Sequence, residues 1–196
     1  MHRISKGLGV LAMLLGGNAM ADLHLAATAG LSAGGDTLAE VYYTDGSSEK
    51  IKGGGLIYLG IGPSFEFKET PWSAQILIGR HFDDISAENA TVEFTRNTLE
   101  AQVFYRSGDH RFGFGLVKHS SVEYESSGAV VTSTVAEFDD ARGASLEYNW
   151  LPVGSKFGVS LRAVQIDYEL ATINGTPVPP ESFSGDHFAA GVYLYF

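Results

Sequence analysis

The chain has 196 residues, no cysteine and a formal net charge of −10, with 13 Lys and Arg against 23 Asp and Glu. That balance argues against a nucleic-acid binder, which neutralises phosphates with clustered Lys and Arg, and the missing cysteines exclude a disulfide scaffold. The 24 glycines are scattered rather than periodic, so collagen-like and linker compositions are excluded as well.

The first 21 residues read as a secretory signal peptide. Arg3 and Lys6 precede the apolar run Leu8 to Leu15, and Ala19-Met20-Ala21 is a small-x-small cleavage site. The run is far shorter than the roughly 20 residues a membrane helix needs. Cleavage after Ala21 would leave 175 residues, Asp22 to Phe196, enough for one domain; without Arg3 and Lys6 its charge is −12.

Beyond Asp22 the chain alternates apolar and other residues, the period of a strand with two different faces. Leu23 to Ala33 is the first strand, with Leu23, Leu25, Ala27, Ala29 and Leu31 on one face. A polar hairpin tip near Asp45-Gly46-Ser47-Ser48 precedes Leu56 to Phe67, where Pro63 predicts a bulge or weak pairing. Gly53-Gly54-Gly55 eases the chain from loop into this strand, and no helix follows it to make a phosphate cradle. Trp72 to Phe82 is the third strand, and Asp83 to Thr91 reads as a polar loop. Strand four runs from about Glu93 to Tyr105, and strand five from Arg111 to Ser121.

A Ser/Thr/Asp/Glu-rich loop reaches to about Ala141, and strand six continues to Trp150. Phe157 to Tyr168 is strand seven. A Pro-rich loop near Thr176 to Pro180 leads to the terminal strand, Asp186 to Phe196. The fold class expected is all-β: an eight-stranded antiparallel up-and-down transmembrane β-barrel filling residues 22–196.

Three regularities favour a closed membrane barrel over a soluble sandwich. Short turns alternate strictly with long polar loops. Phe67, Trp72, Tyr105, Phe112, Trp150, Phe157 and Phe196 flank the short turns on the apolar row, forming an aromatic girdle at one height. The opposite row carries Glu66, Gln75, Glu100, Gln102, Arg111, Glu147, Asn149 and Arg162, which in a barrel point into the lumen. Buried charges there need partners, so Glu147 and Arg162, level across their shared turn, are expected to pair with Glu100 nearby. Eight strands leave an interior only wide enough for side chains, which predicts a plug of hydrogen bonds and no open pore.

The terminal strand, alternating and ending on Phe196, resembles the last strand of bacterial outer-membrane β-barrels. Over the whole of residues 22–196 the pattern resembles the small eight-stranded barrels typified by the OmpA membrane domain and OmpX. That resemblance implies the outer membrane of a Gram-negative cell, contact with outer-membrane lipids and lipopolysaccharide, and recognition of the C-terminal strand by the barrel assembly machinery. Such barrels include adhesins, anchors and lipid-modifying enzymes, so the likeness does not transfer function. A structural or surface-interaction role is expected.

An enzymatic alternative rests on His119-Ser120-Ser121, which resembles the His-x-Ser of outer-membrane lipid A deacylases, where His would deprotonate Ser for attack on an ester. That family's motif continues with Asn, whereas Val122 stands here, and its site faces lipid, whereas parity places His119 and Ser121 inward. Glu123, Glu125 or Glu137 would serve as the acid. His81-Phe82-Asp83-Asp84 and Glu137-Phe138-Asp139-Asp140 lack the spacing of a calcium loop, so neither a metal nor a cofactor is expected.

Overall fold

The structure, a computed structural model, describes residues 21–43, 45–87, 90–129 and 132–196. Residues 1–20 of the expected signal peptide lie outside these. Among the described residues fourteen strands follow in chain order: β1 (Ala21–Gly34), β2 (Thr37–Tyr42), β3 (Ser48–Lys52), β4 (Ile57–Phe67), β5 (Trp72–Ala87), β6 (Ala90–Ser107) and β7 (His110–Gly128). After these come β8 (Thr134–Phe138), β9 (Ala141–Trp150), β10 (Phe157–Gln165), β11 (Asp167–Ile173), β12 (Thr176–Pro177), β13 (Ser182–Ser184) and β14 (His187–Tyr195).

Eight of them, β1, β4, β5, β6, β7, β9, β10 and β14, pair antiparallel with their chain neighbours. The ring closes because β14 pairs back onto β1. Leu25 and Phe196 exchange both backbone hydrogen bonds at 2.9 Å, so the seam is bonded to the last residue. Following paired positions from Trp72 through Tyr105, Phe112, Tyr148, Leu161, Ala190, Leu31 and Ile57 returns to β5 at Phe82, ten residues further on. That stagger tilts the strands against the barrel axis.

The wall has the polarity of a protein turned inside out. Leu31, Ile78, Phe114, Leu116, Leu146 and Phe188 stand outward and open, while Gln75, Arg96, Arg111, His119, Asn149 and Ser160 are buried inside. Alternation along each strand produces both faces at once. The girdle residues Trp72, Tyr105, Phe112, Trp150, Phe157 and Phe196 are all exposed at the short-turn end, and Phe67 is partly covered there.

Several expected boundaries move. The predicted loop Asp83 to Thr91 is mostly strand, because β5 and β6 continue pairing up to Ala87 and Ala90. The polar loop expected up to about Ala141 contains a strand of its own, β8, separated by Asp139-Asp140 from β9, which is the expected strand six; strand seven is two pieces, β10 and β11, broken at Ile166. The outer pieces pair with β7 and with each other, raising one side of the wall. Pro63 leaves the β4–β5 register unshifted; pairing to β5 lapses only at Gly62 and Pro63, the weak pairing a missing N–H imposes.

The long connection after β1 also folds. β2 and β3 form a separate hairpin, and Ile51 from β3 is fully buried among Ile85, Val92, Phe94, Val117 and Ile166. This apolar cluster closes the long-loop end of the barrel. At the exposed hairpin tip the Asp45 carboxyl accepts from the Ser47 hydroxyl (2.6 Å) and N–H (2.9 Å), which hold its pKa below the usual carboxylate value.

Candidate functional site

The lumen is filled in layers. Nearest the short turns, the Arg111 guanidinium lies 4.3 Å from the Phe104 ring and 5.1 Å from the Tyr193 ring, and donates to Ser73 Oγ at 3.3 Å. Gly113 leaves the room Phe104 occupies, since a Cβ there would come within 2.4 Å of that ring. Above it, Tyr193 OH donates to Gln75 Oε1 (2.8 Å), Gln75 Nε2 to Gln102 Oε1 (2.6 Å), and Gln102 Nε2 to Glu147 Oε2 (2.8 Å). Neutral amides thus relay between a phenol and a carboxylate, each buried donor meeting an acceptor.

The middle layer is one ion pair, Arg162 NH2 to Glu100 Oε2 at 2.6 Å, with both side chains 4% exposed. This corrects the expected pairing. Glu147 does sit opposite Arg162 in the β9–β10 register, but Gln102 takes Glu147, and Arg162 reaches across the lumen to β6. In an eight-stranded barrel the interior is narrow enough for long side chains pointing at the axis to meet those from the far wall.

Two further lumen assignments change. Glu66 lies at the short-turn mouth, partly exposed, 3.6 Å from Arg106 and 4.0 Å from His24, outside the sealed network. Arg111 forms no ion pair among the described residues; aromatic faces stand where a carboxylate was expected. Asn149 is buried in the lumen, with neither side-chain polar atom hydrogen-bonded.

In the upper layer parity turns His119 inward, but its neighbours there, Arg96 above all, are not among the expected lumen residues. His81, His119 and His187 gather there, with ring centroids 5.7 Å apart for His81 and His119 and 5.4 Å for His81 and His187. Arg96 lies against them, its NH2 contacting the Gly54 carbonyl and, at 2.9 Å, His81 Nδ1. Its guanidinium stacks over Phe94 and Tyr168. Nε and NH1 of Arg96 have no hydrogen-bond partner. Arg96 shares the parity of Glu100 and Gln102, so alternation carried two residues below Thr98 would have found it. Gly55 serves this layer: it has φ +68, and a Cβ there would lie 3.0 Å from Arg96 NH1. No cluster of three or more His, Cys, Asp or Glu with metal-binding geometry occurs among the described residues.

His119 and Ser121 are not brought together. His119 is buried, its Nδ1 2.7 Å from Tyr168 OH. Ser121 is exposed on the outside of the wall. The reason is a bulge: Thr95 pairs with Glu123 and Asn97 with Ser120, so Arg96 opposes two residues, and Ser121 takes φ +49. The extra residue reverses parity, so Val122 points in and Glu123 out. The inward placement expected for Ser121 is therefore wrong, and that for His119 right.

On the outer surface, polar residues return at one height. Arg80 pairs with Asn97, Asn97 with Ser120, and Lys118 with Arg142. Lys118 also binds Asp140 at 2.6 Å. Arg80 stands eight positions above Trp72 on β5. At ~3.3 Å per residue and a tilt of about 40°, that is roughly 20 Å, close to the ≈ 25 Å apolar band of outer-membrane barrels.

Neither a family model nor a curated protein sequence matches the chain. Among solved structures it is similar to Neisserial surface protein A, at 13% identity and TM-score 0.44, over 90% of this chain and 99% of that one. It is also similar to the outer membrane protein AlkL determined in lipid bilayers, at 12% identity and TM-score 0.49, over 92% and 93% of the two chains.

Proposed function

We propose that the chain is an outer-membrane β-barrel with a sealed lumen, exported through a cleaved signal peptide, whose role is structural or to present a surface. One observation carries the reading: the wall is apolar outside and polar inside over a band that polar residues bound at the long-loop end and rings at the short-turn end. In water such an exterior would be one large exposed apolar patch, which monomeric soluble proteins avoid. In a bilayer it meets hydrocarbon, and the closed ring leaves no strand edge unsatisfied.

The partners that follow are outer-membrane lipids and lipopolysaccharide along the wall, and the barrel assembly machinery at β14 and Phe196. The occluding side chains argue for a scaffold over a channel, and the separation of His119 from Ser121 offers no support to a lipid A hydrolase. Cell fractionation with heat-modifiable gel migration tests the address. Planar-bilayer conductance and mass analysis of lipid A, with and without the protein and its Ser121→Ala variant, test the role. The reading expects membrane-bound, heat-modifiable protein, no steady conductance and unchanged lipid A; a Ser121-dependent loss of an acyl chain would overturn it.

A further inference from the structure

Between β14 and β6 the outer wall is hollow. Ala27 and Ala29, side by side on the outward row of β1, are flanked by Leu59 and Ile61 on one side and Val192 and Leu194 on the other. The resulting groove has a volume of about 740 Å³ and climbs to Ile78, Arg80 and Asn97. Its size lies within the roughly 300–1,000 Å³ of ordinary ligand sites. A hollow in a hydrocarbon-facing wall loses dispersion contacts unless a chain fills it.

A second, polar cleft of about 380 Å³ begins where the groove ends and shares Arg80 and Asn97 with it. Glu123 and Glu137 stand in this cleft, directly opposite each other across β7 and β8. Two like charges facing across a ladder repel, and Thr172 Oγ1 donates to only one oxygen of Glu137, at 2.7 Å. Arg80 forms no ion pair among the described residues, although it stands on the row that otherwise meets lipid. Rising along the wall, the order of outward charges is therefore apolar groove, the Arg80 guanidinium, then the Glu123 and Glu137 carboxylates, in a cleft whose lining also includes the buried Arg96.

We propose that this groove and cleft bind one molecule of a zwitterionic phospholipid with a phosphate and a primary amine. Its acyl chain lies over Ala27 and Ala29, its phosphate meets Arg80 and Asn97, and its ammonium sits between Glu123 and Glu137. The order of charges from the groove outward matches the order along phosphatidylethanolamine. A purely anionic lipid would set its charge against the two carboxylates. The proposal rests on the membrane reading above, and it adds a specific ligand to an otherwise passive wall.

The test is native mass spectrometry of the full mature barrel, released from detergent after incubation with phosphatidylethanolamine or phosphatidylglycerol of identical acyl chains, and with lipopolysaccharide as competitor. One retained phosphatidylethanolamine is expected, favoured over phosphatidylglycerol by roughly tenfold. The paired change Ala27→Leu and Ala29→Leu, which fills the groove, abolishes retention. Arg80→Ala weakens it about tenfold, and Glu123→Gln with Glu137→Gln removes the preference between headgroups while leaving the chain bound.

Heat-modifiable migration verifies that each variant is folded, and Ala29→Val is the milder filling change if the pair is not. Equal retention of the two phospholipids by the unaltered protein, retention unaffected by filling the groove, or displacement by lipopolysaccharide would each overturn the proposal. Failure of the membrane reading looks different: the protein would then stay dissolved without detergent.

Discussion

The two halves of the lumen are filled by different means. In the lower half the filling side chains come from the barrel strands, apart from Leu151 in the short turn after β9: Arg111 lies on Phe104 and Tyr193, the Tyr193–Gln75–Gln102–Glu147 chain sits above, and Glu100 and Arg162 close the layer. The upper half borrows from outside the ring. Gly54 accepts from Arg96, and Ile51 of the β2–β3 hairpin enters the apolar cluster. A plug made only of wall residues can open only by unfolding the wall, whereas one that includes a hairpin can loosen while the barrel stays intact.

The largest expected effect is in the lower half. Glu100→Leu strands the Arg162 cation in the lumen and should cost about 3–5 kcal/mol, read by urea unfolding of the barrel in lipid vesicles. Replacing Glu100 and Arg162 together by Leu should recover most of that loss. A single-variant cost below about 1 kcal/mol would mean that water reaches the pair, and the contrast between the halves would fail.

Gln102→Leu comes next. It leaves Gln75 Nε2 and the Glu147 carboxylate each without a partner, for about 1–3 kcal/mol in the same assay. In the upper half, Gly55→Ala forces a Cβ against the Arg96 guanidinium at a positive φ, with an expected cost of roughly 1–3 kcal/mol. Its sharper signature is local: trypsin should cut after Lys50 and Lys52 faster while the barrel still migrates as folded. Equal acceleration of cleavage in Glu100→Leu would erase the distinction between a wall-built and a hairpin-built plug.

Ser121→Gly is expected to be the mildest. Ser121 points outward with φ +49, which glycine adopts freely, so stability should stay level or rise by up to ~1 kcal/mol. A loss of more than ~1 kcal/mol would mean the Ser121 hydroxyl has a hydrogen-bond partner on the outer surface.

Alternation made the barrel legible because it is a property of single strands: the apolar rows of Trp72 to Ile78 or Phe157 to Ala163 are visible without any knowledge of pairing. Interior contacts were less legible. Glu100 and Arg162 meet from β6 and β10, and nothing in the linear pattern says which long side chains share a level across a tilted, staggered cylinder. The bulge at Ser121 was hidden because Ser is an ordinary strand residue, and one extra residue inverted the parity of everything up to Gly128. The hairpin tip near Asp45-Gly46-Ser47-Ser48 was legible, but its packing over the lumen was not, since the apolar residues of Thr37 to Lys52, such as Val41 and Ile51, are scattered. The base of the hairpin comes this close to the wall at Gly53-Gly54-Gly55, where a Cβ would meet Ser184 O, Gly34 O and Arg96 in turn.

The claim beneath all of this is that one face of each barrel strand meets hydrocarbon and the other a sealed interior. Because the chain has no cysteine, nitroxide labels placed singly from Phe157 to Gln165 in bilayer-embedded protein report each position of β10 alone. Collisions with lipid-dissolved oxygen should peak at Phe157, Val159, Leu161 and Ala163 and fall at Gly158, Ser160, Arg162 and Val164, with water-soluble nickel complexes excluded from both sets. A profile without this two-residue period, or nickel access at Leu161, would contradict the account.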